Sequence, residues 1–355
     1  MDSDYYNNFL NEDERKILDQ YDSIIIWGFP LHTHTHSYIH AMWCKVFKAL
    51  HKQTYWLHND MIIPEHIQFK NSIIITEGYA DDKIPIDPSC VYFVHKAINP
   101  DKYLSQGVRL IEIRFHLNEI HDDSNDYKLD DGTHNIIQLS DQSKYEKLYN
   151  NAGLHISKRD SYIKNMKYEA IYLYWGTDLL PHEFNFDEIN IIPENVIYYI
   201  GTPTNSYNAH YFQHICQNYN INFVSINPWH NPISFEETKT LMQRSLLCPD
   251  FRPTGTQYHI EKFGLKNGWN MLENGYLPCR VLKAMSYGKL GITDSAYVKQ
   301  VLGDSVIYHP DMLELFKMCM EKYSDRDFIH RGMKHIQENH TYIHRARDLL
   351  RALMQ

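Results

Sequence analysis

The feature that most constrains the fold is an uncharged, β-branched run that ends in glycine and proline. Residues 23–29 read Ser-Ile-Ile-Ile-Trp-Gly-Phe, and Pro30 follows them. A short apolar run that is closed by such residues is typical of a buried strand. We therefore expect a strand here, followed by a polar loop that contains three histidines.

A helical pattern and a second strand follow that loop. Hydrophobic residues recur at helical spacing and predict an amphipathic helix over 38–50, with Ser37 as its N-cap. They are Ile39, Met42, Trp43, Val46, Phe47 and Leu50. Thr54 to Leu57 then reads as a strand, which completes a β-α-β unit. Such units build parallel sheets, whose ligands bind at the carboxyl ends of the strands.

Further strands and a second β-α-β pattern are predicted along the chain. In the first half the strands are expected at 72–76, 91–95, 109–113 and 169–174. In the second half we expect a strand at 196–200, a helix at 207–218, a strand at 221–226 and a helix at 234–246, the last opened by the capping-box sequence Ser-Phe-Glu-Glu. Two successive patterns of this kind predict two Rossmann-like domains. Neither contains Gly-x-Gly-x-x-Gly, so a standard dinucleotide-binding site is not expected.

The length of 355 residues suits two domains better than one core. We predict an N-terminal domain over 1–180, a linker over 181–195 and a second domain over 196–330. One C-terminal helix is predicted over 331–355, and residues 339–354 carry one apolar stripe. The stripe consists of Ile343, Ala346, Leu349, Leu350 and Leu353.

Composition and charge exclude several classes of protein. The formal net charge of −9 argues against a nucleic-acid binder, because phosphate-driven binding needs a basic face. No apolar run approaches the roughly 20 residues of a membrane span, and residues 1–16 are acidic and polar, unlike a signal peptide. We therefore expect a soluble, cytoplasmic protein. Its six cysteines include no Cys-x-x-Cys pair, which excludes a zinc ribbon and a dithiol motif.

A cationic helix in the second half predicts a site for a diphosphate. Residues 275–288 read GYLPCRVLKAMSYG, and an apolar strand follows. Arg280 and Lys283 are three positions apart and share one helix face. If the helix starts at Pro278, its first N–H groups and the Arg280 guanidinium form a site for phosphate oxygens. The open alternative is that both cations simply face solvent.

The same residues resemble the donor-binding half of glycosyltransferases with the GT-B fold. A motif of the type P-x-R-x-x-E-A-x-x-x-G in that superfamily is matched by residues 278–288. The segment is also similar to the G-Y-x-x-[EK]-K element of fucosyltransferases that use a GDP-sugar, with Gly275-Tyr276 at the G-Y and Arg280 as the phosphate-binding cation. The resemblance implies an α/β fold of two facing Rossmann-like domains with a cleft between them. It also implies a C-terminal helix that crosses back onto the first domain.

The resemblance implies transfer of a sugar from a nucleotide-diphosphate sugar to an acceptor hydroxyl of a glycan. Retaining members commonly carry two glutamates, and Gly275 and Lys283 stand at those places here. We therefore expect an inverting reaction. Arg280, Lys283 and backbone N–H groups would neutralise the leaving group, so we expect no metal and no cofactor besides the donor.

The resemblance also implies which residues form the site, since each is assigned by its position in the matching motif or loop. The predicted donor-binding residues are Gly201, Thr202, Arg252, Tyr276, Arg280, Lys283 and Ser286. Gly201 and Thr202 end a strand, where a small residue permits close approach of a phosphate. In inverting members the general base often lies in the loop after the first strand, which here indicates His36, with His34 as the alternate. Asp178 is predicted to orient that base or to contact the acceptor.

Two other hypotheses remain open. His32, His34 and His36 follow the first strand directly, as an H-x-H motif does in zinc amidohydrolases. Alternate residues of an extended segment point the same way, so these imidazoles can share a metal. Such a barrel enzyme needs further ligands at later strand ends, and His95 follows one strand. The third hypothesis is a nucleotide-sugar epimerase, or a protein of the same fold that only binds the nucleotide-sugar.

Overall fold

The computed structural model describes residues 6, 9–33, 36–114, 136–137, 168–201, 207–228, 230–251 and 276–354. The chain forms two compact units. Unit 1 consists of Met1–Arg114, Asn125–Leu173 and Tyr342–Gln355, and unit 2 of Phe115–Ser124 and Tyr174–Thr341. Among the described residues, no helix has the length and apolar character needed to cross a membrane.

Both helices and strands occur along the described parts of the chain. Those up to residue 172 are α1 (Glu12–Gln20), β1 (Ser23–Trp27), α2 (Ser37–Ala49), β2 (Thr54–Leu57), β3 (Ser72–Glu77), β4 (Val91–His95), α3 (Asp101–Leu104), β5 (Arg109–Arg114), β6 (Ile136–Ile137) and β7 (Glu169–Tyr172). Those that follow are β8 (Val196–Ile200), α4 (Tyr207–Asn218), β9 (Asn222–Ile226), α5 (Phe235–Arg244), β10 (Pro249–Asp250), α6 (Cys279–Ser286), β11 (Gly291–Thr293), α7 (Ala296–Leu302), β12 (Val306–Tyr308), α8 (Met312–Lys322), α9 (Arg326–Asn339) and α10 (Tyr342–Ala352).

Unit 1 is built on a parallel sheet of seven strands, in the order β2-β1-β3-β4-β5-β7-β6. The prediction of an α/β fold with a parallel sheet is therefore confirmed. Strand β1 lies between β2 and β3, and Ile24, Ile25 and Ile26 are fully buried. Burial of one such side chain contributes about 1.5–3 kcal/mol, which explains why the uncharged run becomes an interior strand.

The start of α2 differs from the prediction. Ser37 is the first residue of the helix and His36 occupies the N-cap position, whereas Ser37 was expected to be the cap. The Ser37 hydroxyl accepts a hydrogen bond from the backbone N–H of His32 at 3.2 Å, so it holds the preceding loop instead. His36 therefore lies at the junction between that loop and α2.

The last helix, α10, belongs to unit 1. The predicted apolar stripe is buried, and Tyr342 contacts Trp43 of α2 edge to face, with ring centroids 5.4 Å apart. Glu14 of α1 is fully buried and binds two arginines of α10, Arg347 at 3.3 Å and Arg351 at 2.6 Å. These ion pairs join two segments from opposite ends of the sequence within one unit.

Unit 2 contains a parallel pair, β8-β9, and a parallel three-stranded sheet, β10-β11-β12. The strand expected at 196–200 and the helix expected at 207–218 are confirmed. The helix expected at 234–246 is shorter at both ends. Ser234 caps its start by accepting a hydrogen bond from the Glu237 N–H at 3.0 Å, and the extended backbone of Ser245 ends it after Arg244. Residues 181–195 contain two short 3₁₀ helices, and the predicted domain limits and linker stay predictions.

Gly28, directly after β1, makes room for a histidine of α2. A Cβ atom at Gly28 would lie 2.2 Å from Nδ1 of His40, and that nitrogen accepts the Phe29 N–H at 3.1 Å. We expect Gly28→Ala to displace the His40 ring and lower the free energy of unfolding by about 1–3 kcal/mol. Urea unfolding measures this loss.

The Gly28 prediction has an internal control. Because the cost comes from the His40 ring, the double variant Gly28→Ala/His40→Ala should be more stable than the sum of the single losses. Strictly additive losses would contradict the contact as the cause.

Candidate functional site

A histidine and a carboxylate form the centre of the candidate site in unit 1. His36 Nδ1 lies 2.6 Å from Oε2 of Glu77, which is the last residue of β3. The Glu77 side chain is 1% exposed, whereas that of His36 is 26% exposed. A partly exposed imidazole in close contact with a buried carboxylate contains the two groups that an oriented general base requires.

Two more histidines surround the same carboxylate. Glu77 and His95 are register partners on β3 and β4, so their side chains point to the same face of the sheet. The His95 ring lies edge to face with that of His36, at 4.9 Å between centroids. His40 Nε2 lies 4.0 Å from Glu77 Oε2. The carboxyl ends of β3 and β4 and the start of α2 thus bring one acid and three imidazoles together.

Part of this cluster is able to bind a metal ion. Among the described residues, one ligand atom from each of His36, Glu77 and His95 lies within 4.8 Å of the other two. The predicted metal cluster was different, since it joined His32, His34 and His36. His32 lies in the left-handed backbone region and its Nδ1 is 3.2 Å from the Tyr38 hydroxyl. His34 lies outside the described residues.

Sequence reasoning missed Glu77, although a signal for it exists. The residue closes the run Ser-Ile-Ile-Ile-Thr-Glu, where a single acid follows apolar strand residues. Ligands in parallel α/β folds bind at the carboxyl ends of strands, so an acid at such an end is a candidate site residue. The same argument applies to His95 at the end of β4.

In unit 2 the structure brings together Arg280 and Gly201, two of the predicted donor-binding residues. Arg280 Nε donates to the carbonyl of Ile200 at 2.9 Å, and Nη1 donates to the Tyr199 hydroxyl at 2.9 Å. A Cβ atom at Gly201 would lie 1.9 Å from Arg280 Nη2, so only glycine leaves room for the guanidinium. The cation is therefore fixed at the carboxyl end of β8.

The charge of Arg280 is partly balanced within the protein. Its Nη1 lies 3.2 Å from Oδ1 of Asp250, whose side chain is fully buried, whereas that of Arg280 is 22% exposed. The guanidinium also lies over the Tyr199 ring, 4.6 Å from its centroid. These contacts hold the fork in one orientation.

The other cation of α6 faces a different partner. Lys283 Nζ lies 3.3 Å from Oδ2 of Asp178, and the Tyr287 hydroxyl donates to the same oxygen. Burial, and then the adjacent Asp178 carboxylate, raise the pKa of Tyr287 well above its usual value, which keeps its hydroxyl a donor. Asp178 thus anchors α6 within unit 2.

Four further residues were predicted to bind the donor, and two of them lie in the described part of the chain. Ser286 is buried, and its hydroxyl lies 2.7 Å from that of Thr177. The Tyr276 hydroxyl accepts a hydrogen bond from Trp175 Nε1 at 3.0 Å. Thr202 and Arg252 lie outside the described residues.

An Asp-x-Asp triplet, a pattern that can hold a divalent ion against a diphosphate, occurs at 325–327 in the described part of the chain. Asp325 Oδ1 accepts the Phe328 N–H at 3.0 Å and thereby caps α9. Its Oδ2 lies 3.3 Å from Lys322 Nζ. Both oxygens of Asp325 therefore have partners that explain the residue as a helix cap.

Comparison of the chain with protein-family models, with curated proteins and with solved structures gave no match.

Proposed function

We propose that the protein is a glycosyltransferase that moves a sugar from a nucleotide-diphosphate sugar to a hydroxyl group of a glycan. The transfer inverts the anomeric carbon and needs no metal ion. One observation carries this proposal: His36, in the loop after the first strand, lies 2.6 Å from a buried carboxylate and keeps an exposed edge. That pair is suited to remove a proton from an acceptor hydroxyl.

In the proposed reaction His36 is the general base. Glu77 holds Nδ1, so Nε2 is the nitrogen that accepts the acceptor's proton. The acceptor oxygen attacks the anomeric carbon while the nucleoside diphosphate leaves from the opposite side. The buried carboxylate of Glu77 stabilises the imidazolium that forms, as an acid partner does for other catalytic histidines.

Unit 2 supplies the donor site in this proposal. The Arg280 guanidinium is fixed beside Gly201 at the carboxyl end of a parallel strand, where ligands bind in α/β folds. The first turn of α6 adds backbone N–H groups, which attract phosphate oxygens. Both cations of α6 have carboxylate partners, Lys283 at 3.3 Å and Arg280 at 3.2 Å. We assign the leaving-group charge to Arg280 and the backbone, because the planar guanidinium fork carries more N–H donors suited to a phosphate.

The test of metal-independent transfer is release of nucleoside diphosphate from GDP- and UDP-sugars, measured with and without EDTA. Water serves as a slow acceptor, so no glycan has to be chosen. We expect one donor class to be turned over and the rate with EDTA to stay within about twofold of the untreated rate, because positive groups of the protein stabilise the leaving group. A rate that a chelator abolishes and manganese restores would contradict this mechanism.

A further inference from the structure

We infer that His36, Glu77 and His95 form a binding site for a divalent transition metal ion of the zinc type, and that the bound ion inhibits the transferase. Metal binding is argued from the cluster alone. The inhibition rests on the proposed function, because it requires His36 to be the base. Neither part follows from the resemblance to glycosyltransferases.

The donor set selects the chemical class of the ion. Two imidazoles and one carboxylate match the ligand types that zinc uses in sites with an open fourth position. Magnesium and calcium prefer oxygen ligands, so they should bind weakly here. The three residues stand at the start of α2 and at the ends of β3 and β4, and two of them are register partners. Regular elements of this kind hold ligands more accurately than loops do.

The three ligand atoms are near enough for one ion to bind after a local movement of a side chain. The three ligand atoms lie within 4.8 Å of one another. Ligand atoms about 2.1 Å from a tetrahedral ion lie about 3.4 Å apart, so the widest pair must close by up to about 1.4 Å. The His36 side chain is 26% exposed, whereas that of Glu77 is 1% exposed, so we assign that closure to movement of the His36 side chain.

A third imidazole lies beside the carboxylate. His40 Nδ1 accepts the Phe29 N–H, so the neutral ring carries its proton on Nε2. That nitrogen lies 4.0 Å from Glu77 Oε2. That distance is too long for a hydrogen bond, so His40 lies next to the carboxylate without binding it.

The inhibition follows from the proton on His36. A metal on Nδ1 leaves the proton on Nε2, which is the nitrogen that must accept the proton of the substrate hydroxyl. The ion also displaces protons from its ligands, so it should bind more tightly as the pH rises. His36 therefore cannot bind the metal ion and act as the general base at the same time.

Calorimetric titration of the full-length, chelator-stripped protein with zinc chloride tests the binding. We expect one saturable site per chain and little heat from magnesium chloride. His95→Gln should raise the dissociation constant at least about tenfold, because it removes one of three ligands. His32→Gln is the matched control, since it removes an exposed histidine of the neighbouring loop and should bind zinc as the wild type does. No saturable binding, or equal binding by His95→Gln and wild type, would overturn the site.

Two further measurements keep the inference testable if a variant fails to fold. Cobalt(II) added to the wild-type protein should give the intense visible absorption of a low-coordinate site, and its absence would exclude the cluster as a ligand set. Zinc should also inhibit nucleotide release by the wild type, with recovery on addition of EDTA. Zinc binding without any transferase activity would leave the site standing and refute the proposed function. Transfer that saturating zinc leaves unchanged would refute the inhibition.

Discussion

Replacement of His36 by glutamine is expected to lower kcat for sugar transfer by about 10²–10⁴-fold, the usual contribution of a general base. The KM for the donor should change little, because the residue is assigned to the acceptor's proton. Glutamine keeps a hydrogen-bonding side chain of similar size next to the buried Glu77 carboxylate. The His36 side chain does not cap α2, so the fold should tolerate the change. Initial rates of nucleotide release measure the effect.

Two variants make the His36 result specific. His32→Gln removes an exposed histidine whose Nδ1 lies on the Tyr38 hydroxyl, and it should retain full activity. Glu77→Gln keeps the size of the side chain but removes its charge, so it should lower kcat because the imidazolium loses its partner. If kcat of His36→Gln is within threefold of the wild-type value, His36 is not the general base.

Replacement of Arg280 by alanine is expected to have the largest effect on stability, a loss of about 3–5 kcal/mol in the free energy of unfolding. The Asp250 side chain is fully buried, and its ion pair with Arg280 at 3.2 Å would be broken. Loss of a cation from beside a buried carboxylate costs more than the pair contributed, because the desolvated negative charge is then less well balanced. Urea unfolding followed by circular dichroism measures the loss.

The double variant Arg280→Met/Asp250→Asn controls for this mechanism. It removes the charge of both partners, so most of the stability should return, although donor binding should not. Arg280→Lys distinguishes the effect on stability from the effect on donor binding. Lysine keeps the positive charge beside Asp250 but lacks the planar fork that binds a phosphate with two hydrogen bonds. A stability of Arg280→Ala within 1 kcal/mol of wild type would contradict the account of the pair.

The sequence predicted those parts of the fold that depend on local pattern. The apolar run at 23–29 became β1, and the stripe around Leu349 became a buried helix face, since each element is decided by residues close together in the chain. The order of the strands is a non-local property. Strand β3 pairs with both β1 and β4, and this pairing brings Glu77 next to His36 and His95.

The same distinction explains the candidate site in unit 2. The spacing of Arg280 and Lys283 indicated a shared helix face, which is a local property of the sequence. Their partners come from distant segments: Asp250 pairs with Arg280, and Asp178 pairs with Lys283. The two cations therefore have different surroundings, although the sequence predicted that both bind the diphosphate.

The measurement that tests the central claim most directly is a thermal-shift titration with UDP, GDP, ADP and CMP. It is made with and without EDTA, on the wild type and on Arg280→Lys. The account predicts that one nucleoside diphosphate stabilises the wild type, by about 2.7 kcal/mol at 100 times its dissociation constant. This stabilisation should be insensitive to EDTA and weaker in the variant. Absence of stabilisation by every nucleotide, both with and without EDTA, would contradict the donor site.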